Sequence, residues 1–225
     1  MTLAERIFKL ADNRDPESLA CRLRQDRLRE FTALLPEDGR AIRILDAGGT
    51  PEFWGRHRAQ LPSETEITVL NLAFDGQCDL PGISRIRGDA RDMSMFRDGE
   101  FDFCFSNSVI EHAGTFQDQL RMAGEIRRVA KGYFVQTPNE YFPLEPHFLV
   151  FGWQFAPVGL RASLLQRGDR GWMKRVEDPA LAREVVQSIR LLSARKLRKM
   201  FPDGEIYRER IGGLTKSIVA WRPMS

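Results

Sequence analysis

The chain has 225 residues, 42% of them apolar and 29% charged, with a formal charge of +3. This is the composition of a folded globular protein with one sizeable core, and it excludes a disordered or collagen-like chain. No apolar run approaches the roughly 18 uncharged residues of a membrane span. Glu5, Arg6 and Lys9 interrupt any leader-like core, and the three scattered cysteines, Cys21, Cys78 and Cys104, make neither a fully paired framework nor a CxxC knuckle. A cytoplasmic location is expected.

Residues 1–40 read as a polar helical segment. Asp15 before Pro16 predicts a cap followed by a first-turn proline, and Leu19, Leu23, Phe31 and Leu34 form a stripe that Arg27 interrupts. From residue 41 strand and helix alternate. The runs AIRILDAGG, EITVLNL, SRIRGDA, FDFCFSN and GYFVQTPN predict five strands. Before the fifth, Thr115 and Asp118 make a capping-box pattern, Phe116, Leu120, Ala123, Ile126 and Val129 an apolar face, and Gly132 a stop. Short apolar strands between helices predict a parallel sheet covered on both faces. Residues 139–178 are rich in Pro, Phe and Trp without a period and read as a lid insertion. A helix follows over about 179–192 and a shorter one after Ser193. EIYRERI and TKSIVAWR then predict an antiparallel hairpin joined by Gly212 and Gly213. The expected organisation is an N-terminal segment, 1–40, and a domain, 41–225, that carries the insertion.

In an open α/β sheet, ligands bind beyond the carboxyl ends of the strands. After the first strand comes Asp46-Ala47-Gly48-Gly49-Thr50-Pro51, where two glycines allow a close backbone approach and Thr50 caps a helix opening at Pro51. Thr50 and Glu52 stand at the later glycine positions of a GxGxxG loop, which argues against a nicotinamide or flavin. After the second strand, Asn71-Leu72 offers an amide to ribose hydroxyls. After the third, Gly88-Asp89-Ala90 offers a carboxylate to an adenine edge. Ser106-Asn107-Ser108 follows the fourth.

The order ILDAGG, VLNL, GDARDM, FDFCFSNSVIEH and FVQTPN resembles the class I S-adenosylmethionine-dependent methyltransferases, and within them the broad bacterial type 11 group, over roughly residues 41–137. The resemblance implies a Rossmann-like α/β fold: a seven-stranded, mostly parallel sheet with helices on both faces and the last strand antiparallel. It implies S-adenosyl-L-methionine as cofactor. Asp46, Gly48 and Gly49, followed by Thr50, would line its methionine part. Asn71, with Leu72, would take the ribose, where the family usually has Asp or Glu. Asp89 and Ala90 would hold the adenine, and Ser106 and Asn107 would sit beside the methionine and the methyl group.

An oxygen nucleophile needs a base for methyl transfer. The candidates for catalysis are Glu111 and His112, directly after the fourth strand, and His147, beside Glu145 and Pro146 past the fifth. His57 reads as a helix-surface residue. Metal-dependent relatives bind a divalent ion through Glu-His at this strand end, which would make Glu111, His112 and His147 a ligand set. Ser108 stands where those relatives add a carboxylate, and no metal is assigned. The lid offers Phe148, Leu149, Phe151, Trp153 and Phe155 as an apolar wall, with Arg161, Arg167 and Arg170 as a basic rim. The expected function is methyl transfer to a hydroxyl of a saccharide, polyketide-like or lipid-linked small molecule. An acidic or lipid-linked acceptor and peripheral membrane contact both suit the basic last third, and no nucleic acid is expected. The alternatives are an RNA methyltransferase and a non-catalytic binding module of the same fold.

Overall fold

A computed structural model describes residues 8–12, 15–36, 38–74 and 80–224. Cys78, and Glu5 and Arg6 of the leader argument, lie outside the described residues. Cys21 and Cys104 are free thiols. In chain order the elements are α1 (Leu19–Thr32), β1 (Ile42–Ala47), α2 (Pro51–His57), β2 (Thr65–Asn71), β3 (Ile83–Arg87), β4 (Phe101–Asn107), α3 (Phe116–Val129), β5 (Ala130–Pro138), α4 (Val158–Arg167), α5 (Pro179–Ser188), α6 (Ala194–Met200), β6 (Glu205–Ile211) and β7 (Leu214–Arg222). No helix among the described residues is long and apolar enough to cross a membrane.

The contacts divide the chain into two units: Met1–Ala33 with Glu140–Ile189, and Leu34–Asn139 with Arg190–Ser225. The insertion read at 139–178 thus extends to residue 189 and groups with the N-terminal segment.

The larger unit holds one seven-stranded sheet in the order β3-β2-β1-β4-β5-β7-β6. The first five strands pair in parallel. β7 runs antiparallel to both β5 and β6, as the resemblance implies. Strand order reverses between β1 and β4, so their carboxyl ends open the crevice where such sheets bind ligands. β4 is buried at its first six positions, which explains its unbroken apolar reading. One face packs Leu45, Cys104, Met122, Ile126, Val135 and Ile218 into a common core.

Helix α3 forms as its pattern predicts at the start. Thr115 accepts from the Asp118 backbone N–H, and Asp118 accepts from the Thr115 N–H. Its end differs. The helix stops at Val129, Ala130 is already extended, and Gly132 lies within β5, where a Cβ would meet Phe103 and the Arg222 carbonyl. Close strand packing, not helix termination, is the use of that glycine. Gln119 and Met122 also belong to the buried face.

In the smaller unit, α1 is capped by Ser18, whose Oγ accepts from the Cys21 N–H, while Asp15 closes the preceding turn. The predicted Asp15-Pro16 start is therefore one turn early, and Arg27 is buried on the helix face it was expected to break. The insertion packs Phe148, Trp153, Ala162, Leu165, Ala182 and Val186 into its own core. Asp178 caps α5 through the Leu181 N–H. Phe8 meets Trp172 edge-on at 4.5 Å, joining the residues before α1 to the insertion.

Candidate functional site

The β1–α2 loop is built around a buried acid. Asp46 is 2% exposed and its Oδ2 accepts from the Trp54 indole N–H at 2.6 Å. Burial pushes its carboxyl up from 3.8 to about 7, with the indole bond pulling the other way. The two glycines have distinct reasons. Gly48 sits at φ +91°, and a Cβ there would come within 2.3 Å of Val109. At Gly49 a Cβ would come within 1.7 Å of the Asp46 carboxylate. Thr50 precedes α2 without a side-chain capping bond, and Pro51 opens it. Trp54, which the sequence reading passed over, occupies the interior beneath this loop and is fully buried.

The neighbouring strand end ties the same loop. Asn71 Nδ2 donates to the carbonyls of Gly49 (2.9 Å) and Gly48 (3.3 Å). A carboxylate at 71 would face those two carbonyls with no proton to offer, which accounts physically for Asn at this position. Leu72 is exposed beside it. After β3, Asp89 is gripped by Arg91 in a forked pair at 2.6–3.0 Å, and that hydrogen bond holds its carboxyl below the ordinary value. Asp89 and Ala90 both remain half-buried. At the end of β4, Ser106 is fully buried and donates to the Ala47 carbonyl at 2.9 Å, while Asn107 is half-buried.

These residues fit a nucleoside cofactor at its ribose and adenine end. Asn71 Oδ1 accepts no bond among the described residues, and the Asp89 side chain keeps 33% of its surface exposed. The side chains of Asp46 and Ser106, expected beside the methionine part, are bonded within the fold and shape the loop.

After Asn107 the chain turns sharply. Ser108 has φ +56°, unusual for a residue with a Cβ, and donates to Gln136 Oε1. The turn then carries Glu111 and His112 on a single 3-10 turn, Ile110–His112. Glu111 is fully buried and accepts from Thr137 Oγ1 at 2.9 Å, whereas His112 is exposed. Gln119 braces this turn from α3: its Nε2 donates to the carbonyls of Ile110 (3.0 Å) and Arg190 (2.8 Å). The Arg190 N–H returns a bond to the Glu111 carbonyl. A glutamine on an apolar helical stripe was the available signal for this brace. His57 is half-buried, packing on Phe53 and facing Gln60.

His147 belongs to the smaller unit. Its Nδ1 lies 2.7 Å from Glu145 Oε1. The aromatic wall expected there separates into two sets. Phe148 and Trp153 stack inside the core, while Phe151 and Phe155 are exposed. Of the basic rim, Arg161 is half-buried and donates to the Val186 carbonyl; Arg170 bonds the Asp169 carbonyl, and Arg167 is exposed.

Residues 62–135 match the family model described as a methyltransferase domain. Over 48 residues the chain is 40% identical to an uncharacterized protein of Mycobacterium tuberculosis, a match that takes in 21% of this chain and 16% of the relative's length. An S-adenosylmethionine-dependent methyltransferase of Methanosarcina mazei aligns over 87% of this chain and 98% of its own, at 13% identity and a TM-score of 0.52. One from Aquifex aeolicus aligns over 98% and 99%, at 13% identity and a TM-score of 0.50. At such identities the likeness is one of fold. Residues 62–135 thus resemble a methyltransferase domain, and the chain shares its fold with S-adenosylmethionine-dependent methyltransferases.

Proposed function

We propose that this protein transfers a methyl group from S-adenosylmethionine to a hydroxyl of a ring-bearing small molecule of saccharide, polyketide-like or lipid-linked type. The observation that favours such an acceptor is an exposed aromatic pair on the insertion. Tyr141 and Phe155 stack at 6.3 Å and 19°, and are 67% and 59% exposed. Aromatic faces left open to solvent suit a flat or CH-rich ring better than a charged polymer.

Asn71 and Asp89 are the groups that would hold ribose and adenine, and the glycine loop would shape the methionine end. When bound, the cofactor supplies an electrophilic methyl group on a sulfonium. The chain's own task is then to orient the acceptor and to remove its proton. His147 is the proposed base, and Glu111 and His112 the proposed residues at the end of β4. Arg167 and its basic neighbours would favour an acidic or lipid-linked substituent.

The test is calorimetry with S-adenosylmethionine, followed by labelled-methyl transfer into pooled glycosides, phenolic polyketides and lipid extract. Micromolar cofactor binding with label in one pool is expected. No cofactor binding would favour the binding-module reading. Label entering RNA, with binding that weakens steeply in salt, would favour the nucleic-acid reading.

A further inference from the structure

One stretch of the larger unit concentrates positive charge that no acid of the fold offsets. From Arg190 to Pro202 the chain carries five cations, Arg190, Arg195, Lys196, Arg198 and Lys199, and no carboxylate. Arg190, Arg195, Arg198 and Lys199 are exposed. Arg190 Nε donates to the Gly114 carbonyl and Arg198 Nη1 to the Gly204 carbonyl, each at 3.2 Å. Among the described residues, none of these four side chains forms an ion pair. Asp203, the next acid along the chain, is taken up by Arg127, Tyr133 and Arg222.

Helix geometry sets the charges on one side. Leu197 and Met200 are the buried residues of α6, while Arg195, Arg198 and Lys199, three and four residues apart, share the outward side. Like charges at this spacing weaken a helix. The helix dipole offsets that for Arg198 and Lys199 in the last turn, but Arg195 stands in the first turn, at the positive end. The stretch begins on the ligand side of the sheet. The Arg190 N–H bonds the Glu111 carbonyl at 2.8 Å, its carbonyl accepts from Gln119, and Leu192 bridges to Asn139 just past β5. It ends with Phe201 tilted against Tyr133, near the start of β5, at 4.9 Å. A row of cations therefore leads from the loop after β4 along the outside of α6. The large apolar residues of the stretch, Leu191, Leu192, Leu197, Met200 and Phe201, are all buried. The row offers no aromatic face to a nucleobase and no apolar anchor to a bilayer interior. It presents guanidinium forks and an ammonium, the donors that hold phosphate oxygens.

We infer that this row binds a phosphate or diphosphate group of the acceptor. The inference rests on the small-molecule reading above and names the charged part of that molecule. A single carboxylate would leave most of the row uncompensated, whereas a diphosphate presents several charges to neighbouring cations on one helix. The same group occurs on soluble phosphate esters and on lipid headgroups.

Amide NMR on the nitrogen-15-labelled full chain, titrated with inorganic pyrophosphate at low salt, tests this. Saturable shifts are expected at residues 190–199. Arg195→Gln with Lys199→Gln should weaken binding at least about fivefold, while Arg208→Gln with Arg210→Gln, an equal loss of charge on the edge strand β6, should change it less than about twofold. Shifts centred elsewhere, no saturation, or equal weakening by both pairs overturns the inference, the last because it marks net charge and not a site. Should the first pair lose its cooperative melt, the wild-type map and Arg195→Gln alone decide. Sedimentation with phosphatidylcholine vesicles carrying phosphatidic acid, lost in the first pair, would place the phosphate on a lipid headgroup. Pyrophosphate binding without sedimentation would place it on a soluble ester, and either result supports the inference. Single-stranded RNA bound at the same residues about a hundredfold more tightly than pyrophosphate overturns the small-ligand assignment. S-adenosylmethionine calorimetry on the same samples keeps the two failures apart: pyrophosphate bound without the cofactor removes methyl transfer and leaves the phosphate site standing, and the cofactor bound without pyrophosphate does the reverse.

Discussion

Asp46→Asn separates the acid's charge from its shape. The wild-type carboxyl is raised from 3.8 to about 7, mainly because it is buried. A group raised on folding binds more protons in the folded chain than in the unfolded one between those two values. Its contribution is complete below about pH 4 and is lost as pH rises through about 7. At roughly 1.36 kcal/mol per tenfold change in proton affinity, the whole loss is about 4 kcal/mol. About 3 kcal/mol of it falls between pH 5 and pH 8.5. Asparagine keeps an oxygen for the Trp54 N–H and has no charge to bury. Urea unfolding of both proteins at pH 5 and pH 8.5 isolates this one group, since every other titration is common to the pair. The variant is expected to gain about 3 kcal/mol on the wild type across that interval. A gain below about 1 kcal/mol, or one of opposite sign, would refute the reasoning.

Other outcomes follow from single contacts. Asn71→Asp should lower stability by about 1–3 kcal/mol, because two glycine carbonyls lose their donor and face a carboxylate; the same chemical melts check it. Gly49→Ala should destabilise by about 1–3 kcal/mol through overpacking and weaken S-adenosylmethionine in calorimetry, since its Cβ would strike the Asp46 carboxyl. Thr115→Ala should cost about 1 kcal/mol by removing the capping box of α3, read in thermal melts. Tyr141→Ala with Phe155→Ala should leave cofactor affinity within about twofold and raise the acceptor KM; an unchanged KM would remove the stack from the acceptor site.

The sheet was legible because its strands are short apolar runs between turn residues, and the capping box at Thr115 and Asp118 is a local signal. The four strand ends could be located because each apolar run stops at a glycine or polar residue. The hidden parts were long-range. Nothing local says that Asp46 finds Trp54 eight residues on, or that Asn71 holds the glycine loop across 22 residues. Gln119 and Arg27 were hidden for another reason: each is a polar residue on a buried helix face, and a hydropathy stripe discards them as noise. Gly132 looked like a helix stop, because closeness to Phe103 in the next strand leaves no trace beside it in sequence. In the insertion, Phe148 and Phe151 are three residues apart and alike in composition. One is core and the other exposed because Phe148 lies in the turn and stacks on Trp153, whereas Phe151 ends the short strand that follows.

The division of the chain has a kinetic side. Residues 1–33 share a unit with 140–189, and the first five strands lie between the two stretches. At about 5–20 residues per second, α1 waits roughly 8–30 s during synthesis before the insertion is made. Throughout that time Leu28 and Phe31, both buried in the finished protein, must remain soluble or be shielded. The larger unit waits as well, since the edge of β5 stays unpaired until β7, the final strand, is released. Nascent chains halted just short of residue 190 should therefore remain protease-sensitive in both units. The smaller unit should become resistant on release of Ile189, before the sheet is closed.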